Sequence, residues 1–179
     1  MKKVIVVIIL AIAFFYSCKD SIVENEDKNV GRINFQEGTI EGIKTGDDTT
    51  AVIKLLGKPD GIGMGDFDGY IYEYENKNYP GIYILTVTFF NKTLNQHPGE
   101  YRVGGVSVLN SYSGKSKEGI GLGSSKTDVV KIFGNPQAVY EYGELYLFTR
   151  TDKKNNYVFF TYDGNLKVKS IGMDTRATN

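Results

Sequence analysis

The chain of 179 residues has no tryptophan, a single cysteine (Cys18), a single histidine (His97) and four prolines. One cysteine excludes any disulfide framework within the chain, and one histidine beside it excludes a structural Cys/His metal site. An excess of charge of one sign is also missing. The 21 basic and 21 acidic residues cancel, and beyond residue 17 there are 19 basic against 21 acidic. This balance argues against nucleic acid as the main partner, because proteins that bind it usually carry a basic stripe. Long apolar runs are absent apart from Val4 to Phe15, and that run of twelve is too short to span a bilayer as a mature helix. What the chain does have is 13 Tyr, 10 Phe and 21 Gly, a composition that favours strands and turns over a helical bundle. An apolar fraction of 41% suffices to bury a core.

Met1-Lys2-Lys3 followed by the apolar run has the plan of a signal peptide, and it ends in Phe15-Tyr16-Ser17-Cys18. A small residue before the chain's one cysteine resembles the lipobox of bacterial lipoproteins. The resemblance implies cleavage between Ser17 and Cys18, a diacylglycerol on the Cys18 sulfur and an acyl group on its new amine, and two or three acyl chains anchor a protein stably. Lys19 to Arg32 are mostly charged or polar with no apolar period, so they read as a flexible tether with a reach of roughly 20 Å. Lys19 and Asp20 resemble the charged export signals of lipoproteins sent to the outer face. The expected location is the cell envelope, at the outer membrane, with its periplasmic or surface side left open.

Gly42 to Pro59, GIKTGDDTTAVIKLLGKP, recurs as Gly119 to Pro136, GIGLGSSKTDVVKIFGNP, at a constant offset of 77 residues with eight of 18 positions identical. An ungapped repeat of this kind indicates an internal duplication. In the first copy Asp47 or Asp48 caps a helix that carries Val52, Ile53 and Leu56 on one face, and Gly57 and Pro59 end it. In the second copy Ser125 is the cap, with Asp128 at capping-box spacing, followed by Val129, Val130 and Phe133 and stopped by Gly134 and Pro136. Helices of about three turns are not stable alone and must pack on something.

Strand-like runs follow each helix: Tyr70–Glu75, Ile82–Phe90 and Tyr101–Leu109 after the first, Leu145–Thr149, Tyr157–Tyr162 and Leu166–Met173 after the second. Val87-Thr88-Phe89 matches Val158-Phe159-Phe160, and Val103-x-x-Val106-x-Val108 matches Val168-x-x-Ile171-x-Met173. The expected fold is therefore α+β with two tandem repeats, each a short helix packed on an antiparallel sheet of three to four strands. Its divisions are a signal peptide (1–17), a tether (18–32), a first repeat (33–113) in which Ile33 to Phe35 add an edge strand, and a second repeat (114–179).

The order of Gly-x-x-x-Gly, capped helix, Leu-Gly-x-Pro, Tyr-x-Tyr strand, Val-x-Phe strand and closing Val-x-x-Ile strand resembles the SmpA/OmlA family and the related repeat of β-lactamase-inhibitor proteins. The first is a small lipoprotein subunit of the outer-membrane barrel-assembly machine; the second carries two such units in tandem. The resemblance covers about 135 residues. It implies a protein-binding or assembly role, or inhibition of a secreted or periplasmic hydrolase.

Other motifs read as structure. Gly119-x-Gly121-x-Gly123 before a helix has the look of a phosphate loop, but Lys44 replaces the middle glycine in the duplicate and no parallel-strand unit surrounds either copy. Asp66, Asp68, Gly69 and Glu75 fall at calcium-loop spacing, yet position 1 is Met64 and Tyr70 to Glu75 alternate as a strand. His97 lies in Asn95-Gln96-His97-Pro98-Gly99, an insertion without a counterpart in the second copy, and reads as an exposed loop residue. An enzyme using Asp66, Asp68 or His97 remains the least favoured reading, since no nucleophile motif accompanies them. No catalytic residue, metal or cofactor is expected.

Tyr70, Tyr72 and Tyr74 share one strand face, as do Tyr83, Leu85, Val87 and Phe89, and both sets are expected beneath the helices. In the second repeat the opposite face is apolar as well, with Leu145, Leu147, Tyr157 and Phe159. This face needs a cover, either the first repeat or another protein, and is the expected partner surface. Replacement of Cys18 by Ser should move the protein from the membrane to the soluble fraction on cell fractionation; an undiminished membrane pool would contradict the anchor.

Overall fold

A computed structural model describes residues 31–65, 69–91, 100–149 and 155–174. Ser17, Cys18, the tether up to residue 30, Asp66, Asp68 and His97 lie outside the described residues. In chain order the elements are β1 (Ile33–Asn34), β2 (Thr39–Ile40), β3 (Ile43–Lys44), α1 (Thr49–Leu56), β4 (Gly61–Met64), β5 (Tyr70–Asn76), β6 (Tyr79–Asn91) and β7 (Tyr101–Val108). Then follow α2 (Lys126–Phe133), β8 (Ala138–Tyr140), β9 (Gly143–Thr149), β10 (Asn155–Tyr162) and β11 (Val168–Asp174).

Both helices form where the duplicated segment places them. The Asp48 carboxylate accepts from the Ala51 N–H, and Ser125 with Asp128 closes a reciprocal capping box. Gly57 and Gly134 end the helices at positive φ, 84° and 76°, with extended ψ, a conformation that disfavours any residue with a Cβ. Each helix has one fully buried side chain, Val52 or Val129. The backbone contacts are duplicated too. Gly46 N–H donates to the Val103 carbonyl as Gly123 N–H does to that of Val168, and Val103 N–H donates to Asp47 as Val168 N–H does to Ser124.

The expectation of two α+β repeats, each a helix on its own sheet of three to four strands, does not hold. The last strands of the two halves, β7 and β11, pair antiparallel from Val108↔Ile171 to Gly105↔Asp174. All the long strands thereby join one antiparallel sheet in the order β4-β5-β6-β7-β11-β10-β9-β8, and the protein is mostly β. The physical reason is the edge. Two separate sheets would leave β7 and β11 with rows of unpaired N–H and C=O groups, whereas pairing satisfies both and leaves only the short β4 and β8 at the rims.

Two smaller expectations also fail. Ile33 to Phe35 supply no edge strand to this sheet; β1 belongs to a separate three-stranded sheet, β1-β2-β3, that closes through a two-residue turn at Glu41-Gly42 with both residues at positive φ. Tyr83 leaves the face of Leu85, Val87 and Phe89, because the register shifts between Tyr74↔Leu85 and Glu75↔Tyr83. That bulge sends Tyr83 toward Glu73 on the opposite face, where both approach Gly61.

One face of the large sheet is covered by the helices and the small sheet. Ile33, Ile40 and Ile43 are fully buried there, together with Val87, Phe89, Val158, Phe160 and Ile171. Phe35 reaches from the N-terminal sheet into the second half, 4.8 Å from Phe133 and 6.1 Å from Phe160, ring centre to ring centre. Phe160 also meets Phe133 at 5.4 Å and Tyr146 at 5.6 Å. Phe160→Ala should therefore cost about 3–5 kcal/mol of stability. Equilibrium denaturant unfolding measures it, and a loss below about 1 kcal/mol would contradict a core centred on this ring.

Candidate functional site

Alternation along β10 separates two sets of side chains. Asn156, Val158 and Phe160 point into the core, so Tyr157 and Phe159 stand on the opposite face. Register then assembles the rest. Phe159 lies between Leu145 on β9 and Gly172 on β11, and Tyr157 between Leu147 and Asp174. The four residues of the expected partner surface thus share one patch. The first half does not cover it, because its strands extend the same sheet sideways.

The patch borders an open groove of about 530 Å³ that also involves Thr88, Gly105, Ser107 and Tyr140. Tyr140 meets Phe159 edge to face at 5.8 Å and is 55% exposed; Leu147 is 43% exposed. The floor is low because it is glycine. A Cβ at Gly172 would stand 3.0 Å from the Ser107 hydroxyl, and one at Gly105 would stand 3.5 Å from the Asp174 carboxylate. The volume falls within the range of ligand sites, and the aromatic wall with few polar groups is their usual composition.

Sequence reasoning found the wall and missed the floor. Gly172 and Asp174 come alongside Phe159 and Tyr157 through the β10–β11 pairing, and Gly105 and Ser107 join them only through the β7–β11 pairing. A signal did exist, since small residues alternate with apolar ones in Gly105-Val106-Ser107-Val108 and Ile171-Gly172-Met173.

The duplication supplies an internal comparison. Alternation along β6 buries Leu85, Val87 and Phe89 and places Thr86 and Thr88 on the open face of the first half. Those threonines pair with Glu73 and Ile71, as Tyr157 and Phe159 pair with Leu147 and Leu145. The same face of the sheet thus folds with threonines in the first half, and the sheet does not require aromatic side chains there.

One cluster of titratable groups lies on the other, covered side. Glu144, 3% exposed, accepts from Lys126 at 2.6 Å, from the Tyr146 hydroxyl at 2.8 Å and from the Tyr162 hydroxyl at 3.1 Å. Burial alone would raise its pKa, but the hydrogen bonds from Lys126, Tyr146 and Tyr162 together with the Lys126 charge hold it below the ordinary value. Burial and the neighbouring carboxylate push Tyr146 up to about 12, so neither tyrosine is a ready proton donor at neutral pH. The counterpart in the first half is a hydrogen bond between Thr49 and the Tyr70 hydroxyl at 3.0 Å, again from the first helical residue to the sheet. The cluster is therefore a helix anchor, ionic in one half and neutral in the other. Among the described residues no group of acidic, His or Cys side chains is arranged to hold a metal ion. Glu75, from the calcium-loop spacing, instead accepts from the Gly81 N–H.

No known family and no curated protein sequence matches the chain. A cysteine-rich secretory protein from Staphylococcus aureus superposes on 82% of this chain with a TM-score of 0.49 and 15% identity. The chain spans 50% of that protein's length. A likeness so distant carries nothing about activity.

The depressed Glu144 pKa gives a signed expectation. Its contribution to stability is complete above the ordinary value of 4.5 and is lost as pH falls below that through the lower folded value. Glu144→Gln should flatten the decline of thermal stability below about pH 5 and lower stability at pH 7 by about 1–3 kcal/mol. An unchanged acid profile in the variant would contradict the anchor.

Proposed function

We propose that the chain is a lipid-anchored protein of the cell envelope, held through Cys18, that binds another protein through the uncovered sheet face of its second half. It acts as a binding or assembly module rather than an enzyme, without a cofactor. The observation that carries this reading is the internal comparison: Tyr157, Phe159, Leu145 and Leu147 stand outward on the second half, whereas the same face of the first half presents Thr86, Thr88, Ile71 and Glu73. Outward apolar residues that folding does not demand indicate a surface that is covered by something else. Aromatic side chains in such a place contribute large area at low entropy cost, and a few of them dominate the energy of typical interfaces. The leader supports the location, and the resemblance to SmpA/OmlA-type repeats supports the class of role.

The test follows from the same comparison. Tyr157→Thr with Phe159→Thr introduces residues that the fold accepts on the same face of the first half, so the melting temperature should move little. Crosslinking capture of the tagged protein from intact cells should then lose the partner recovered by the unaltered chain, with affinity reduced roughly thirtyfold or more for the loss of about 2 kcal/mol. Undiminished recovery by the double variant would overturn the reading. Recovery of one soluble hydrolase, equally with or without Cys18, would move the assignment to inhibition of that hydrolase.

A further inference from the structure

Resting on the reading that Cys18 anchors the chain, the fold also carries an orientation. The described chain starts at Gly31, whose N–H donates to the Lys115 carbonyl at 2.8 Å. Arg32, the next residue, pairs with Glu41 at 2.6 Å and lies over the Tyr112 ring. It borders one hollow of about 250 Å³ with Lys58, Tyr74, Lys77 and Ile84, so the tether leaves the fold beside the turn that joins β5 to β6.

That turn is apolar and fixed in shape. β5 and β6 stay paired as far as Asn76↔Tyr79. The Glu75 carboxylate accepts from the Gly81 N–H at 2.8 Å, the Asn76 side chain accepts from the Asn78 N–H at 2.9 Å, and Gly81 takes a φ of 84° that glycine permits. Tyr79-Pro80-Gly81-Ile82 are nevertheless all exposed, Tyr79 by 61% and Ile82 by 42%. Lys77 precedes the segment and Lys58 lies across the hollow, neither of them in an ion pair. The acids of this end are engaged within the fold: Asp60 by the Glu75 N–H, Glu75 by that of Gly81, and Glu41 by Arg32 and the Tyr112 hydroxyl.

We propose that this turn sits in the headgroup region of the membrane to which Cys18 is tied. Tyr79 brings an amphipathic ring, and Pro80 and Ile82 an apolar surface, to the boundary where such groups are favoured, while the two ammoniums stay at the level of the lipid phosphates. Tether length favours a membrane over a soluble partner. Gly31 follows Cys18 by 13 residues, and a flexible chain of that length has a reach of roughly 20 Å. The opposite end of β4 and β5, at Met64↔Tyr70, lies about 25 Å further away at the usual rise per strand residue. Of the two ends, the turn is therefore the one held against the lipid surface.

The chain has no tryptophan, so Tyr79→Trp and Ile82→Trp each install a single fluorescent reporter, and Met64→Trp does so at the far end, where the side chain is 96% exposed. The full chain is coupled through Cys18, its one thiol, to a maleimide phospholipid in phosphatidylcholine vesicles, which anchors it whether or not cells attach a lipid there. With acyl chains brominated near the headgroup, the Tyr79→Trp and Ile82→Trp emissions should shift to shorter wavelength and lose at least about half their intensity, and Met64→Trp should keep its own. Ile82→Asp in the Tyr79→Trp chain should restore most of the lost intensity. No quenching at either turn position, or equal quenching from Met64→Trp, would overturn the proposal. A blue shift that appears without vesicles as the chain is concentrated would assign the turn to a second copy and equally overturn it. An unmodified Cys18 in protein purified from cells would remove the anchor reading, while the quenching still decides whether this turn binds lipid.

Discussion

The backbone pairing of β7 with β11 is the contact on which the rest of the molecule depends. It carries four residue pairs, Val108↔Ile171 through Gly105↔Asp174, and it joins two halves that the duplication would otherwise leave as separate units. Each half arrives with the same capped helix and the same glycine hydrogen-bonded to its last strand, Gly46 to Val103 and Gly123 to Val168. Each also arrives with an unsatisfied strand edge. Joining edge to edge removes both and positions the two helices on one side of the sheet, and among the described residues nothing lies over the other side. The N-terminal strands then close the core from above, with Phe35 set against Phe133 and Phe160.

Within this common frame the halves have diverged in chemistry. The first residue of α1 meets the sheet through two hydroxyls, Thr49 and Tyr70, and the first residue of α2 meets it through an ion pair, Lys126 and Glu144. A buried ion pair is costly to desolvate, and the hydroxyls of Tyr146 and Tyr162 offset that cost by satisfying the remaining carboxylate oxygen. Divergence on the covered side has kept the same structural job by different means. Divergence on the open side has not, since threonines in one half face aromatic rings in the other.

Much of the local structure was legible in the sequence. Ser125 with Asp128, Gly57 and Gly134 marked helix ends through side-chain and glycine chemistry that acts within four residues. Alternation in Tyr157-Val158-Phe159-Phe160 separated a core face from an open one. What was not legible was carried by the backbone or by too few residues. The β7–β11 seam is held by N–H and C=O groups that every residue possesses. The strands β4 and β8 span only Gly61–Met64 and Ala138–Tyr140, too short for a period to emerge. The shift that turned Tyr83 outward is a single inserted position. Asp174 was unremarked because its neighbours Gly105 and Tyr157 are distant in the chain.

The central claim is that the two halves of one sheet face differ in function although they share a backbone. The most direct measurement places a photo-crosslinking amino acid at position 147 in one strain and at position 73, on the same face of the first half, in another, and irradiates intact cells. Binding through the second half predicts a discrete adduct from position 147 and none from position 73. Equal adducts from both positions, or none from position 147, would contradict it.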